Sequence, residues 1–184
     1  MKKRVSIHIG DYYASSEPAV VHTLLGSCVA VCLFDPTKRT GGVNHILLPG
    51  RADMVQFNTS ARYGVNAMEL LINAIMGLGG ERNQLVAKVF GGAHILGAIS
   101  EENSVGKKNI AFVLEFLEKE SIKIINQDLG GYDTRTIFFH TDTGDVFLKR
   151  TSHNMYNKMI AKKEKDLLKR IKKQTKEQGK VDLF

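Results

Sequence analysis

The pattern of hydrophobic and polar positions indicates strands along most of the first 150 residues. Apolar runs of strand length, rich in β-branched and aromatic residues and bounded by turn residues, cover positions 4–10, 19–25, 29–34, 43–48, 86–90, 122–126, 134–140 and 146–150. Runs of this kind predict strands. Two polar stretches between them, residues 11–18 and 49–60, have no clear period and predict loops.

Two further segments change to helical spacing. The first extends from about Thr59 to Met76, where apolar residues recur every three to four positions. The second is expected to begin after Ser104, a good N-cap residue, and to end near Glu120. Because local hairpins alternate with crossover connections, the sequence predicts an α+β fold with mixed β-sheets and helices packed on their faces.

Charge separates the end of the chain from the rest. With 184 residues and 43% hydrophobic composition, the chain is long enough for one domain, which we assign to residues 1–150, followed by a tail at 151–184. Most of the net charge of +7 lies in the tail, because residues 161–180 contain nine Lys or Arg and three Asp or Glu. We expect a basic, solvated terminal helix there, with docking on an acidic partner surface or a weak nucleic-acid contact as alternatives. The distribution argues against nucleic acid as the main partner.

No part of the sequence indicates insertion into a membrane or export. Only a short apolar run, Val5 to Ile9, follows the basic start, and no run approaches the roughly 20 residues needed to span a bilayer. The two cysteines, Cys28 and Cys32, are too close together on one predicted strand to form a stabilising disulfide. We therefore expect a soluble protein in the reducing cytoplasm.

The segment from Thr23 to Pro49 contains the side chains best suited to catalysis. Two strand-like runs flank a group of turn residues and predict a hairpin. If Asp35 to Lys38 forms a type I turn, counting back along both strands places Cys28 opposite His45. Opposed residues in an antiparallel pair have Cβ atoms about 4.5–5.5 Å apart, within reach of a thiol and an imidazole. A bulge at Gly41-Gly42 would shift this register by one residue.

A cysteine beside a histidine supports nucleophilic catalysis. A neighbouring imidazolium lowers the pKa of a thiol and so favours the reactive thiolate. The N–H groups of Ser27 and Cys28, next to the flexible Gly26, are candidates for an oxyanion hole. From the residues alone a structural role for Cys28 stays equally open, because free cysteine is among the most buried residue types.

Metal and phosphate binding are less favoured by the sequence. Cys28, Cys32 and His45 provide three ligands at most, in a spacing unlike that of the usual zinc sites. The glycine pairs Gly91-Gly92 and Gly130-Gly131 lack the sequence context of phosphate loops. We therefore expect neither a metal ion nor a cofactor.

Several motifs follow one another in order between Val5 and Arg150: TLLGSCVAVCLFDP, GGVNHILLP, FGGA, and DLGGYDTR followed by TDTGDV. At these residues the chain resembles the CheD family, the chemoreceptor glutamine deamidases of bacterial and archaeal chemotaxis. The resemblance implies hydrolysis of the side-chain amide of particular glutamines on the cytoplasmic helices of chemoreceptors, giving glutamate and ammonia. It also implies a fold like the catalytic domain of cytotoxic necrotizing factor toxins, a sandwich of sheets flanked by helices.

Matched residue by residue, the resemblance implies that Cys28 is the nucleophile and His45 the base. The third member of the family's site is a threonine upstream of the cysteine, which orients the histidine. Thr23 fits this role if the intervening loop is one residue shorter, and His22 stands at the alternative position. Because neighbouring residues on a strand face opposite sides, only one of them can face His45, and we expect Thr23.

The resemblance further implies a CheC-type phosphatase as a regulatory partner. The alternative function is therefore a binding module that docks on such a phosphatase and stimulates it. Within the enzymes, the same pair of Cys28 and His45 would also support a transglutaminase or a protease.

Overall fold

A computed structural model describes residues 2–48, 54–95, 104–152 and 162–170. Within these residues the chain forms nine strands, three helices and one turn of 3₁₀-helix at Arg82–Gln84. The strands are β1 (Lys3–Ser6), β2 (Tyr12–Ser15), β3 (Ala19–Leu25), β4 (Val29–Asp35), β5 (Thr40–Ile46), β6 (Val86–Gly91), β7 (Lys123–Leu129), β8 (Thr134–His140) and β9 (Val146–Thr151). The helices are α1 (Met54–Gly77), α2 (Val105–Lys119) and α3 (residues 162–170).

The strands form two mixed sheets, which confirms the predicted α+β class. The first has the order β1-β3-β8-β9, with β1 and β3 parallel and the other pairs antiparallel. The second has the order β2-β5-β4-β6-β7, with only β6 and β7 parallel. The chain crosses between the sheets several times, and one crossing, from β3 to β4, lies between Leu25 and Val29.

Two hydrophobic clusters hold the layers together. One lies between the sheets and includes Val21 and Phe139 from the first and Ala30 and Val43 from the second. The other lies between the second sheet and the helices α1 and α2. Strand β4 is buried on both faces because it contributes to both clusters, and this explains its nearly continuous apolar sequence. The fold is a two-sheet sandwich with helices packed on its second sheet; the likeness to the necrotizing factor domain stays a prediction.

Some predicted boundaries are wrong. The predicted loop at residues 11–18 is wrong in part, because Tyr12–Ser15 forms strand β2, which pairs with β5 at the edge of its sheet. An edge strand with polar and half-buried residues shows no strong alternation, so tertiary pairing decides its conformation. The predicted loop at 49–60 is also too long, because α1 already begins at Met54; residues 49–53 lie outside the described residues. Strand β1 ends at Ser6 instead of Gly10.

The register of the β4–β5 hairpin differs from the prediction by two residues. The connecting loop has four residues, 36–39, and Asp35 pairs with Thr40 instead of Lys38. His45 therefore pairs with Ala30, and the prediction that it lies directly opposite Cys28 is wrong. A shift of two residues preserves the faces of both strands, since side chains alternate with period two. Cys28 and Ala30 accordingly lie together in the cluster between the sheets.

The side chain of Asp35 stabilises this longer loop. Its Oδ1 accepts hydrogen bonds from the N–H groups of Thr37 and Lys38 at 2.8 and 3.0 Å, and its Oδ2 accepts one from the N–H group of Glu81 at 2.8 Å. Burial acts to raise the pKa of Asp35, but these three donors outweigh it and the pKa is lowered. The carboxylate thus fixes the hairpin loop and connects it to the residues that follow α1.

Replacing Asp35 by asparagine is expected to reduce the free energy of unfolding by about 2 kcal/mol at neutral pH. Asparagine has only one acceptor oxygen. Its NH₂ group would therefore face a backbone N–H group that currently donates to the carboxylate of Asp35. The depressed pKa means that the contribution of Asp35 is present above the pKa of the unfolded chain and is lost as the pH falls through the folded pKa. Urea unfolding at several pH values should show the difference from wild type shrinking in acid.

The exposed Asp145 provides the matched control. Asp145→Asn is expected to change the free energy of unfolding by no more than about 0.5 kcal/mol. Equal losses in the two variants would contradict the role given to Asp35.

No helix in the described part of the chain is long and apolar enough to cross a lipid bilayer.

Candidate active site

Cys28 lies on the short segment that connects the two sheets, and the carbonyl groups of this segment are all held. The carbonyl oxygens of Gly26 and Cys28 accept hydrogen bonds from the N–H groups of Ala93 and Gly92 at 2.9 and 2.7 Å. The carbonyl oxygen of Ser27 accepts one from Nδ2 of Asn109, a fully buried residue of α2, at 2.8 Å. The backbone around Cys28 is therefore fixed through its carbonyl groups.

His45 is held by a hydrogen-bonded chain that begins at Ile7. The hydroxyl of Thr23 donates to the carbonyl oxygen of Ile7 at 2.9 Å, and its Oγ1 lies 2.7 Å from Nδ1 of His45. A hydroxyl has only one proton to donate, so Oγ1 must accept from Nδ1–H. The neutral imidazole then carries its lone pair on Nε2, which is buried and has no hydrogen-bond partner among the residues described. This tautomer is the one required of a general base.

Of the two candidates for orienting His45, Thr23 is the one in contact with it. His22 lies on the other face of β3, where its ring stacks on Phe138 with centroids 6.0 Å apart. The alternation of side chains along a strand accounts for this difference.

The environment favours the neutral forms of both Cys28 and His45. Burial, followed by the proximity of His8, lowers the pKa of His45 to about 3. Burial, followed by the negative charge of Glu164 and a hydrogen bond to it, raises the pKa of the Cys28 thiol well above its ordinary value. The thiolate–imidazolium pair expected from the sequence is therefore not the favoured state of the protein with α3 in place.

The side chain that contacts Cys28 is Glu164 of α3. The thiol of Cys28 donates to Oε1 of Glu164 at 3.3 Å, and the N–H group of Ser27 donates to the same oxygen at 3.2 Å. The hydroxyl of Ser27 donates to Oε2. Glu164 is only 1% exposed. The two residues are 136 positions apart in the sequence, and the sequence motifs give no indication of this contact.

One signal in the sequence could have drawn attention to Glu164. It precedes Leu167 and Leu168 by three and four residues, so all three share one face of a helix. Both leucines pack against the cluster between the sheets, and an acidic residue on such an apolar face is unusual.

A small cavity of about 50 Å³ lies beside His45. Its walls include Gly10, Asp11, Asn44 and Tyr63, so it is partly polar. A cavity of this size and polarity is large enough for a water molecule. Burial, the largest cause, raises the pKa of Tyr63, and the negative charge of nearby Asp11 acts in the same direction.

Cys32 is separated from this chemistry. It is buried in the cluster between the sheets, pairs across the strands with Val43 and Lys88, and has a pKa raised by burial. Among the described residues, no three His, Cys, Asp or Glu side chains are grouped so that they could hold a metal ion.

Comparison with known proteins identifies relatives over the whole chain. Residues 47–150 match the family model described as CheD chemotactic sensory transduction. A protein of Shewanella oneidensis named "Probable chemoreceptor glutamine deamidase CheD 1" is 42% identical over 187 residues, covering 100% of this chain and 88% of that one. A Vibrio cholerae protein with a similar name is 40% identical, over 79% of this chain and 65% of that protein. A similarly named Anaeromyxobacter dehalogenans protein is 40% identical, over 81% of this chain and 85% of that protein. The chain belongs to the CheD family.

Proposed function

We propose that this protein is a protein-glutamine deamidase that converts glutamines of chemoreceptors to glutamate and releases ammonia. The relatives named as probable chemoreceptor glutamine deamidases support the substrate class. The observation that carries the chemistry is the hydrogen-bonded chain from Ile7 through Thr23 to His45. It leaves the lone pair of Nε2 unpaired, on the same face of the hairpin as the thiol of Cys28.

The first step forms a thioester. Nε2 of His45 takes the proton of the Cys28 thiol as Sγ attacks the carboxamide carbon of the substrate glutamine. The N–H group of Ser27, with that of Cys28 beside it, stabilises the negative oxygen of the tetrahedral intermediate. His45 then returns its proton to the nitrogen, the C–N bond breaks, and ammonia leaves with the Cys28 thioester remaining.

The second step hydrolyses the thioester. Neutral His45 takes a proton from a water molecule, whose oxygen attacks the thioester carbon. The cavity beside His45 is a suitable place for this water. The C–S bond breaks, the proton returns to Cys28, and the substrate leaves with glutamate in place of glutamine.

Both steps proceed from the neutral pair of side chains. A buried imidazole with a lowered pKa is a weak base in the resting protein. Charge separation between Cys28 and His45 therefore develops as the substrate binds and its oxygen meets the N–H donors, and no preformed ion pair is needed.

The test is product analysis on a cytoplasmic fragment of a chemoreceptor. A deamidase converts an amide to an acid at single glutamines and releases one ammonia for each. A protease would shorten the fragment, and a transglutaminase would join an amine to it. A fragment that keeps its original mass, with no ammonia released, would overturn the proposed function.

A CheC-type phosphatase remains a proposed partner. Co-purification of the two proteins, compared between wild type and Cys28→Ala, measures that interaction independently of catalysis. Binding and phosphatase stimulation without any change in receptor mass would support the alternative of a regulatory binding module.

Replacing Thr23 by valine is expected to lower kcat/KM about 100-fold with little change in volume at the site. Valine cannot accept from Nδ1–H, so neither the tautomer nor the orientation of His45 is fixed. The imidazolium loses a hydrogen bond, the pKa of His45 falls further, and the acid limb of the pH profile moves to lower pH. Deamidation rates measured across pH check this.

Thr23→Ser is the matched variant, because it retains the hydroxyl and loses one methyl group. It should keep most of the activity and the wild-type pH profile. If valine and serine reduced activity equally, with unchanged pH profiles, Thr23 would have a packing role instead of a positioning role.

A further inference from the structure

Helix α3 presents one acidic residue to the protein and its other charges to solvent. Lys162, Lys163, Lys165 and Asp166 are exposed, whereas Glu164 is buried. The half-buried Leu167 and Leu168 pack beside it on the cluster between the sheets. The helix therefore docks through a face made of one carboxyl group and two leucines.

Burying a carboxyl group is costly unless it is hydrogen-bonded. The described partners of Glu164 are the hydroxyl of Ser27, the thiol of Cys28 and the backbone N–H groups of both residues. All of them belong to the candidate catalytic segment. Burial raises the pKa of Glu164, while the hydrogen bonds from Ser27 and Cys28 act in the opposite direction. The groups that bind this side chain are the ones that would bind the reacting group of a substrate.

The position of Oε1 matches the demands of the proposed reaction. It lies 3.2 Å from the nitrogen of Ser27, a candidate oxyanion-hole donor, and 3.3 Å from Sγ of Cys28. Glutamate is the side chain that deamidation of glutamine produces. Glu164, presented by a helix, thus has both the chemistry and the placement of a reaction product.

We propose that α3 binds in the substrate site as an intramolecular product mimic, with Glu164 in the place of the reacting glutamine. This inference rests on the proposed deamidase function. A substrate helix must displace α3 before Cys28 can react, so substrate and tail compete. The site then selects helices that carry a glutamine followed by apolar residues three and four positions later, as Glu164 is followed by Leu167 and Leu168.

The tether makes this competition effective. A segment attached to the same chain acts at an effective concentration of about millimolar, so even weak docking keeps most molecules closed. Removing the carboxyl group should weaken docking without changing the catalytic groups.

The direct test turns the product mimic into a substrate. In the full-length Glu164→Gln variant, Cys28 is expected to deamidate residue 164 in its own chain, which restores glutamate and releases ammonia. Peptide mass spectrometry over time should show this conversion at a rate independent of protein concentration. It should be absent from the double variant that also carries Cys28→Ala.

Asp166→Asn is the matched control, because it makes the same acid-to-amide change on the same helix at an exposed position. It should remain an asparagine over the same period. Conversion of both residues at equal rates would point to spontaneous chemistry and would overturn the inference.

The same preparation of Glu164→Gln is incubated with a receptor fragment, which separates the product-mimic inference from the deamidase function. If the fragment is deamidated while residue 164 stays glutamine, the product-mimic inference fails and the deamidase function stands. If neither changes, both fail.

Glu164→Ala gives an independent measurement. Alkylation of Cys28 by iodoacetamide should become about tenfold faster or more. In wild type, α3 covers Cys28 in more than about nine-tenths of the molecules, so only about a tenth or fewer can react at any time. The pH at which alkylation accelerates should fall, because Glu164 contributes to the raised pKa of Cys28. KM for a receptor fragment should fall with kcat unchanged. Unaltered alkylation and KM would overturn the inference.

Discussion

Replacing Cys28 by alanine is expected to reduce deamidation of a receptor fragment by about 10⁴-fold or more, to the level of the protein-free control. The reaction proposed for this site passes through a thioester, and alanine offers no atom that can form one. The remaining N–H donors and His45 cannot replace a nucleophile, because water would have to attack the amide directly. Mass spectrometry of the fragment after long incubation measures the residual rate.

Cys32→Ala is the matched control. Cys32 is the other cysteine of the chain. It is also fully buried, and it lies four residues after Cys28 in the same cluster between the sheets. Its replacement should leave kcat within a fewfold of wild type. Both variants should unfold cooperatively with similar loss of stability, since each removes one buried sulfur. If Cys28→Ala retained deamidase activity, or Cys32→Ala lost it, the assignment of the nucleophile would be wrong.

Replacing Gly91 by alanine is expected to reduce both stability and activity severely. The backbone at Gly91 has φ = +113°, which residues with a Cβ adopt at a high cost, and a Cβ there would overlap the carbonyl oxygen of Cys28. Relief of this clash requires movement of the segment that carries Cys28, the proposed nucleophile. We expect a loss of about 3 kcal/mol or more in the free energy of unfolding, measured in denaturant, and a fall in kcat in the fraction that remains folded.

Gly79→Ala separates the clash from the backbone strain. Gly79 has a similar φ of +93°, but a Cβ at this position would meet no atom within 4 Å. This variant should lose about 1 kcal/mol and keep its activity. Equal effects in the two variants would mean that close packing of Gly91 against Cys28 is not important.

The sequence predicts the elements whose local pattern and tertiary environment agree. Strands β3 and β8 have the predicted bounds, because each is framed by turn residues and packs one face into a core. The start of α2 is also correct, since Ser104 accepts a hydrogen bond from the N–H group of Lys107 as an N-cap should.

Errors arise where a side chain far from the local pattern decides the structure. The hairpin loop is longer than a simple type I turn because Asp35 bonds to Thr37, Lys38 and Glu81. The donor at Glu81 lies beyond α1, so spacing within the hairpin could not indicate it. The edge strand β2 likewise depends on its partner β5.

The candidate site could be predicted in part, for a physical reason. The register error was an even number of residues, so Cys28 and His45 stayed on the inner face of the hairpin although they are not directly opposed. Alternation along β3 separated Thr23 from His22. The sequence shows that Glu164 shares a helix face with Leu167 and Leu168, but not that it contacts Cys28, because docking of a distant helix depends on the shape of the assembled surface.

The hydrogen bond between Thr23 and His45 joins the two sheets of the sandwich. Thr23 belongs to β3 in the first sheet, and His45 belongs to β5 in the second. The orientation of the His45 imidazole therefore depends on the spacing between the sheets, which the intervening side chains set. Substitutions in that inner layer, far from any substrate, would change the angle of the imidazole and hence the rate. In the proposed mechanism, the hydrophobic core thus helps to position the base.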